Sequence, residues 1–329
     1  MHTFGAVVAN PAVRGSRSWW GAVAVDIGFI WVVPVFVMIS GALILEPRQY
    51  ARGTSDFYRR RLLRLAPALV FWSLFYFLVV RTWMSGAPIT WDSIAGFLLD
   101  GRPYTHLYFL WLIIGLYAVA PVLSAFLRDG GARRAVIFAA IVLGATVFTG
   151  SSSAIMSALG QPRPLTLLAL TQWLPYAGYF LAGWALRGKV LRGWRLAALM
   201  TVTAAAIVVC IVQYGSSPRN AFIDALAPVG YYGPLVALAS LGVFVCANSV
   251  LSEWRPQPRA ALILRELSDS AFGVFLLHFV MIIAVRMIPA FATAQESLLF
   301  SFIEWFIVVL ISFIIVLALR RVPYLRRLV

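Results

Sequence analysis

Leu298-Leu-Phe-Ser-Phe-Ile-Glu-Trp-Phe-Ile-Val-Val-Leu-Ile-Ser-Phe-Ile-Ile-Val-Leu-Ala-Leu319 carries one charge, Glu304, in 22 residues, and Arg320 and Arg321 close it. As a helix rising about 1.5 Å per residue it is roughly 33 Å long, enough to cross a hydrocarbon layer of about 30 Å. Working back toward the N-terminus, runs of the same kind recur at 271–290, 231–249, 196–214, 173–186, 135–149, 106–126, 62–80 and 20–45. These nine stretches are the complete candidate spans. The apolar stretch Met1–Ala9 is too short to cross alone and reads as the outer half of a further span. The expected fold is therefore all-α: a polytopic transmembrane helical bundle of about ten spans with the first truncated, built as a single domain over residues 1–329. Composition agrees, with 62% hydrophobic residues and only 12% charged, about half the charge of an ordinary soluble protein.

The 27 basic residues outnumber the 12 acidic ones and give a formal charge of +15. All are arginine except Lys189, a bias typical of a GC-rich bacterial gene. They alternate between the two sets of connections. One set holds Arg48, Arg52, Arg59, Arg60, Arg61 and Arg64, then Arg128, Arg133 and Arg134, then Arg187, Lys189, Arg192 and Arg195, then Arg255, Arg259 and Arg265, then Arg320, Arg321, Arg326 and Arg327. The other holds Arg14, Arg17, Arg81, Arg102, Arg163, Arg219 and Arg286. A split of 20 to 7 is the pattern that orients spans, with the richer side cytoplasmic. The expected location is a bacterial plasma (inner) membrane, multi-pass, with the C-terminus cytoplasmic. The positive charge is thus read as topology, and nucleic acid is not expected as a partner. Cys210 and Cys246 both fall in apolar runs, where a disulfide is not expected.

Ionisable groups inside spans are costly and point to function. They are few: His2, Asp26, His278 and Glu304, with His106 at the start of a span. No metal-ligand spacing, Walker loop, dinucleotide fingerprint or Gly-x-Ser-x-Gly elbow is present. Energy-coupled transport by an ATP-binding loop and soluble-hydrolase chemistry are thereby disfavoured. Glu304 is assigned no role and is expected to face the interface. His278 reads as a hydrogen-bonded bundle residue. Ser40 and Gly41 read as a close-packing pair between helices.

Five stretches in order give a family resemblance: Val33-Pro-Val-Phe-Val-Met-Ile-Ser-Gly-Ala-Leu-Ile-Leu45, Phe57-Tyr-Arg-Arg-Arg-Leu-Leu-Arg-Leu-Ala-Pro67, His106-Leu-Tyr-Phe-Leu-Trp-Leu-Ile-Ile-Gly-Leu-Tyr-Ala-Val-Ala-Pro121, Tyr176-Ala-Gly-Tyr-Phe-Leu-Ala-Gly-Trp184 and Leu267-Ser-Asp-Ser-Ala-Phe-Gly-Val-Phe-Leu-Leu-His278. Over nearly the whole chain they resemble the acyltransferase-3 family of integral membrane O-acyltransferases. The style is that of the enterobacterial-common-antigen O-acetyltransferase type, which has no fused extracellular domain. The resemblance implies transfer of an acyl group, most often acetyl, from cytoplasmic acyl-CoA to a hydroxyl of an outward-facing glycan or lipid-linked saccharide. It implies no permanently bound cofactor; acetyl-CoA or another acyl-CoA is the donor substrate, and membrane lipid surrounds the chain. The oligomeric state is not readable.

The resemblance also assigns residues. His2 matches the family's catalytic histidine, and an imidazole with an ordinary pKa of about 6.5 is suited to take a hydroxyl proton. The family's first-span arginine lies about ten residues before that histidine and would precede Met1, so the expectation is a start placed too late. Arg60, Arg61 and Arg64 are expected to bind the donor, since guanidinium groups grip phosphate in a two-pronged way. Their spacing allows all three to share a pocket. Asp26, His106, Tyr108 and Trp111, with Tyr104 beside them, are expected on the acceptor side. The rival reading is a transporter exporting a glycan precursor or small acid; against it stand the lack of a visible inverted repeat and of paired broken spans.

Overall fold

A computed structural model describes residues 2–101, 103–217, 221–292 and 296–329. Met1 and the arginines Arg102 and Arg219 lie outside the described residues. The described residues are helical, with turns between and no strand. The helices are α1 (His2–Ala9), α2 (Arg17–Gly28), α3 (Val32–Ile44), α4 (Thr54–Leu74), α5 (Trp91–Leu99), α6 (Tyr108–Ala158), α7 (Ala177–Leu186), α8 (Trp194–Ser216), α9 (Ala221–Leu226), α10 (Pro234–Val250), α11 (Pro258–Arg286), α12 (Pro289–Ala292) and α13 (Leu298–Arg320). Among the described residues, six helical stretches are long and apolar enough to cross a membrane: 17–44, 54–84, 108–158, 194–216, 258–286 and 298–320. The chain is a multi-pass membrane protein.

The count of six differs from about ten for identifiable reasons. The expected spans 106–126 and 135–149 fall within α6, one run of 51 residues. That run doubles back at Gly131, whose backbone (φ 57°, ψ −157°) is barely open to any residue with a Cβ. Phe126 and Phe138 would be about 18 Å apart along a straight helix, yet their ring centroids lie 5.2 Å apart. Arg134 clasps the turn by donating to the carbonyl oxygen of Phe126 at 2.9 Å. The expected span 173–186 is the ten-residue α7, about 15 Å long. The expected span 231–249 is α10, with 17 residues, and Met1–Ala9 supplies the eight-residue α1.

α7 is short but central. Every residue from Ala177 to Ala185 is buried, within a core that also takes in Met38, Leu116, Leu143 and Phe244. It packs tightly against α3. A Cβ on Gly41 would coincide with the carbonyl oxygen of Phe180, and one on Gly183 with that of Met38. Two glycines facing two backbones is how helices approach when lipid supplies no hydrophobic drive and packing must. Ser40 donates to the carbonyl of Phe36 at 3.0 Å within its own helix.

A second packed group joins α4, α11 and α13 through Ala68, Trp72, Tyr76, Leu276 and Val316. Beyond Leu74, α4 widens to π-helical geometry over Phe75–Met84. Such widening is rare and tends to fall at functional sites. α1 leans on α2 through Phe4, Val7 and Ala22. The arginine-rich connections meet at one end of the bundle. There Arg187 pairs with Glu46 at 2.6 Å and lies 3.9 Å over the Trp184 ring. Arg192 pairs with Glu253 at the same end.

Candidate functional site

The chain has three histidines, and the fold brings all three to one place. α1 presents His2, the connection before α6 presents His106, and α11 presents His278. The rings of His2 and His278 stack at 5.5 Å, and those of His106 and His278 lie edge to face at 5.1 Å. Phe279 sits among them, 4.4 Å from His2, 4.6 Å from His106 and 4.7 Å from His278. Gathering three imidazoles from segments more than a hundred residues apart takes tertiary structure, and no spacing in the sequence announces it. No group of His, Cys, Asp or Glu suited to hold a metal ion occurs among the described residues.

Each ring is held differently. His278 Nδ1 lies 2.6 Å from the carbonyl oxygen of Phe275. A carbonyl only accepts, so Nδ1 carries the hydrogen and, in the neutral ring, Nε2 is left as the acceptor. His106 is buried, and neither of its nitrogens reaches a hydrogen-bond partner among the described residues. Its place is set by packing: Tyr76 at 5.0 Å, Phe275 at 5.2 Å and Tyr104 at 5.9 Å. Tyr76 is itself fixed by donating to the carbonyl of Leu276 at 2.8 Å. His278 lies eight residues before Arg286, the last residue of α11, so the cluster sits about 12 Å in from that end. The connection before α6 therefore dips into the bundle to deliver His106. His2 remains exposed.

Asp26 lies on α2 facing α1, with its Oδ1 3.9 Å from where a Cβ on Gly5 would stand. Tyr231 is close enough to feel its charge. Tyr108 belongs to a neighbouring group of phenols, hydrogen-bonding with Tyr176 and Tyr231. Tyr179 ties that group down by donating to the carbonyl of Tyr231 at 2.9 Å. Trp111 turns elsewhere, packing on the turn at Gly101 and on Ala169. Of the four residues expected on the acceptor side, His106 joins the histidines. Asp26 lies between α2 and α1, Tyr108 sits among the phenols, and Trp111 lies against the turn at Gly101.

The three arginines of α4 do not act as one group. Arg60 pairs with Asp56 at 3.0 Å and donates to the carbonyl of Gln49. Arg61 donates to Gln49 Oε1 at 3.2 Å and lies over the rings of Phe57 and Tyr117 at 5.6 and 5.4 Å. Tyr50, in the same corner, has its phenol pushed above the usual range by burial, while the Arg61 guanidinium pulls the other way. Arg64 instead lines a cavity of about 470 Å³ with Arg320, Arg326 and Arg327.

Glu304 also differs from expectation. Its side chain is 1% exposed, and it takes a two-pronged pair from Arg286, with Nε–Oε1 at 2.6 Å and Nη2–Oε2 at 3.2 Å. A lone glutamate in an apolar run signals a partner without naming it, and the partner lies 18 residues away on α11. His278, read from sequence as a bundle residue, is a full member of the cluster. The available signal was scarcity, since only three histidines occur in 329 residues.

Residues 1–321 match a family model described as an acyltransferase domain, acyltransferase-3. No curated protein and no solved structure gives a significant match to the chain.

Proposed function

The chain belongs to the acyltransferase-3 family, and from that premise we propose that it moves an acyl group, acetyl in the first instance, from acyl-CoA to a hydroxyl of a glycan or lipid-linked saccharide. The observation that carries this reading is the convergence of the His2, His106 and His278 rings; a separate arginine-lined cavity lies at the basic end of the bundle. In this reading the basic end faces the cytoplasm of a bacterial cell, and the acceptor arrives from the opposite face.

His2 is the base. Its imidazole takes the proton of the acceptor hydroxyl as that oxygen bonds to the thioester carbonyl carbon. The tetrahedral adduct collapses, the carbon–sulfur bond breaks, and the sulfur takes the proton back from the imidazolium. The products are an ester and free CoA. His278 is held as an acceptor tautomer by its bond to Phe275 and, stacked on His2, orients that ring. Buried His106 offers a hydrogen bond to a reacting oxygen, a contribution that is large when donors are fixed in advance in a dry site. Arg64, which lines the cavity, receives the donor's phosphates. Asp26 and Tyr108 face the acceptor.

The test is release of CoA from acetyl-CoA by purified protein with a panel of saccharide acceptors. His2→Ala is expected to lower the rate at least a hundredfold, in line with the loss of a general base. Turnover that survives His2→Ala refutes the assigned mechanism. No turnover in the native protein with any acceptor refutes the activity.

A further inference from the structure

After α13 the chain turns back into the bundle and is fastened there. Trp72 Nε1 donates to the carbonyl oxygen of Leu328 at 2.7 Å. Val329 packs where Gly273 leaves room, 2.8 Å from where a Cβ would stand, and joins the apolar group of Trp72, Leu276 and Val316. Between α13 and this anchor lies a single turn, Leu325–Arg327. It places Arg326 and Arg327 on the wall of the 470 Å³ cavity, with Arg64 of α4 and Arg320 at the end of α13.

The charges there do not balance. Arg320 is engaged, bonding Glu266 at 3.0 Å, Asp269 at 3.4 Å and Ser270 at 2.8 Å. No acidic side chain stands within ion-pair distance of Arg64, Arg326 or Arg327 among the described residues. Simple orientation of spans requires only that arginines lie on one side of the membrane. It does not require a turn pinned by a buried tryptophan so that two arginines line one cavity with a third. Guanidinium groups held in that way suit clustered phosphate oxygens. The cavity is also near the histidines: Asp269 on its wall and His278 lie nine residues apart on α11, about 14 Å along the helix.

We propose that the folded-back segment 322–329 is a working part of a phosphate-binding site, in which Arg326 and Arg327 close on phosphate groups against Arg64. The identification of those phosphates with an acyl donor rests on the reading of the previous section; the site itself does not. The shared chemistry is a phosphate-dense anion, and its two possible sources are a nucleotide bearing several phosphates or an anionic lipid headgroup.

The experiment uses the full chain in nanodiscs of phosphatidylcholine, titrated with adenosine 3′,5′-bisphosphate, with the same preparation in phosphatidylglycerol examined by native mass spectrometry. Arg326→Ala plus Arg327→Ala is expected to weaken the bound phosphate ligand roughly tenfold or more. Arg255→Ala plus Arg259→Ala, which removes equal charge from the same end, is expected to change it less than twofold. Bisphosphate binding lost only in the first pair supports a nucleotide site. Retained phosphatidylglycerol lost only in the first pair, with no bisphosphate binding, supports a headgroup site. Binding unchanged in the first pair, or equally weakened in both, overturns the proposal. If the double variant does not fold, Arg326→Gln alone, checked by its melting curve, carries the same comparison. CoA release measured in parallel separates the two readings. An unchanged KM for acetyl-CoA in the Arg326/Arg327 variant, with phosphate binding lost, separates the site from the acyl donor and leaves both the site and acyl transfer standing. Phosphate binding without turnover leaves the site standing and overturns acyl transfer.

Discussion

Replacing Arg286 by leucine should cost this protein more than replacing Arg286 and Glu304 together. Glu304 is 1% exposed, and its carboxylate receives both bonds from Arg286, at 2.6 and 3.2 Å. The neighbouring surface is apolar, with Ile282, Val285 and Val308 packed together. Without Arg286 the carboxylate stays in that setting with no counter-charge, and removing one partner of a buried pair costs about 3–5 kcal/mol. Arg286 keeps 27% of its side-chain surface, so solvent screens the pair somewhat and the lower end, about 3 kcal/mol, is expected. In the double variant Arg286→Leu plus Glu304→Leu the lost pair is offset by the charges no longer buried, and the net change should lie within about 1 kcal/mol of zero. With Glu304→Leu alone neutral or destabilising, the coupling energy of the cycle is then at least about 2 kcal/mol. Melting midpoints of detergent-purified protein provide the assay; at roughly 2–4 °C per kcal/mol for a larger domain, the single variant should melt about 6–12 °C lower. Equal losses in the single and double variants would refute the reasoning, because Glu304 would then not depend on Arg286 for its charge. The pair also bears on the site. Phe279, at the centre of the histidines, lies seven residues before Arg286 and so on the same face of α11.

Other outcomes follow from the same contacts. Gly183→Ala forces α7 off the Met38 carbonyl and should cost about 1–3 kcal/mol or more, read as a lower melting midpoint; an unchanged midpoint would show that α3 and α7 do not touch there. His278→Phe keeps the stacked ring and removes the acceptor nitrogen. It should lower turnover roughly tenfold or more while leaving the melting midpoint near native, and equal turnover would remove His278 from the mechanism. Tyr76→Phe frees a carbonyl still bonded within its helix, so the stability loss should be about 1 kcal/mol. Any larger fall in turnover would report the lost hold on His106. Gly131→Ala places a Cβ on a positive-φ residue and should destabilise the fold-back of α6 by about 1 kcal/mol or more, visible as faster proteolysis between Arg128 and Arg134.

Much was legible in the sequence because a bilayer imposes its demand locally. A segment in hydrocarbon must be apolar, helical and long enough, and each of those properties can be read from some twenty consecutive residues. The run Leu298–Leu319 needs no neighbour to be recognised, and the order of five short stretches sufficed to indicate the family. The close approach of α3 and α7 was visible in part, since a glycine in an apolar run invites another helix. What it could not name was Gly183 as the second glycine or Phe180 and Met38 as the backbones met.

Contacts between distant segments were decided only by the tertiary structure. The sequence placed Arg60, Arg61 and Arg64 within one helical turn and so within reach of one pocket. A local pair with Asp56 and contacts with Gln49 and Tyr117 hold the first two, and of the three Arg64 alone reaches the cavity shared with Arg326 and Arg327. His278 was one apolar-run histidine among many possible bundle residues until α1 and the connection before α6 arrived beside it. Glu304 had no reading until Arg286 stood opposite. Burial in lipid is a property each segment carries by itself. The meeting of three imidazoles, or of a carboxylate and its guanidinium, depends on where chains separated by tens to hundreds of residues come to rest, and only packing fixes that.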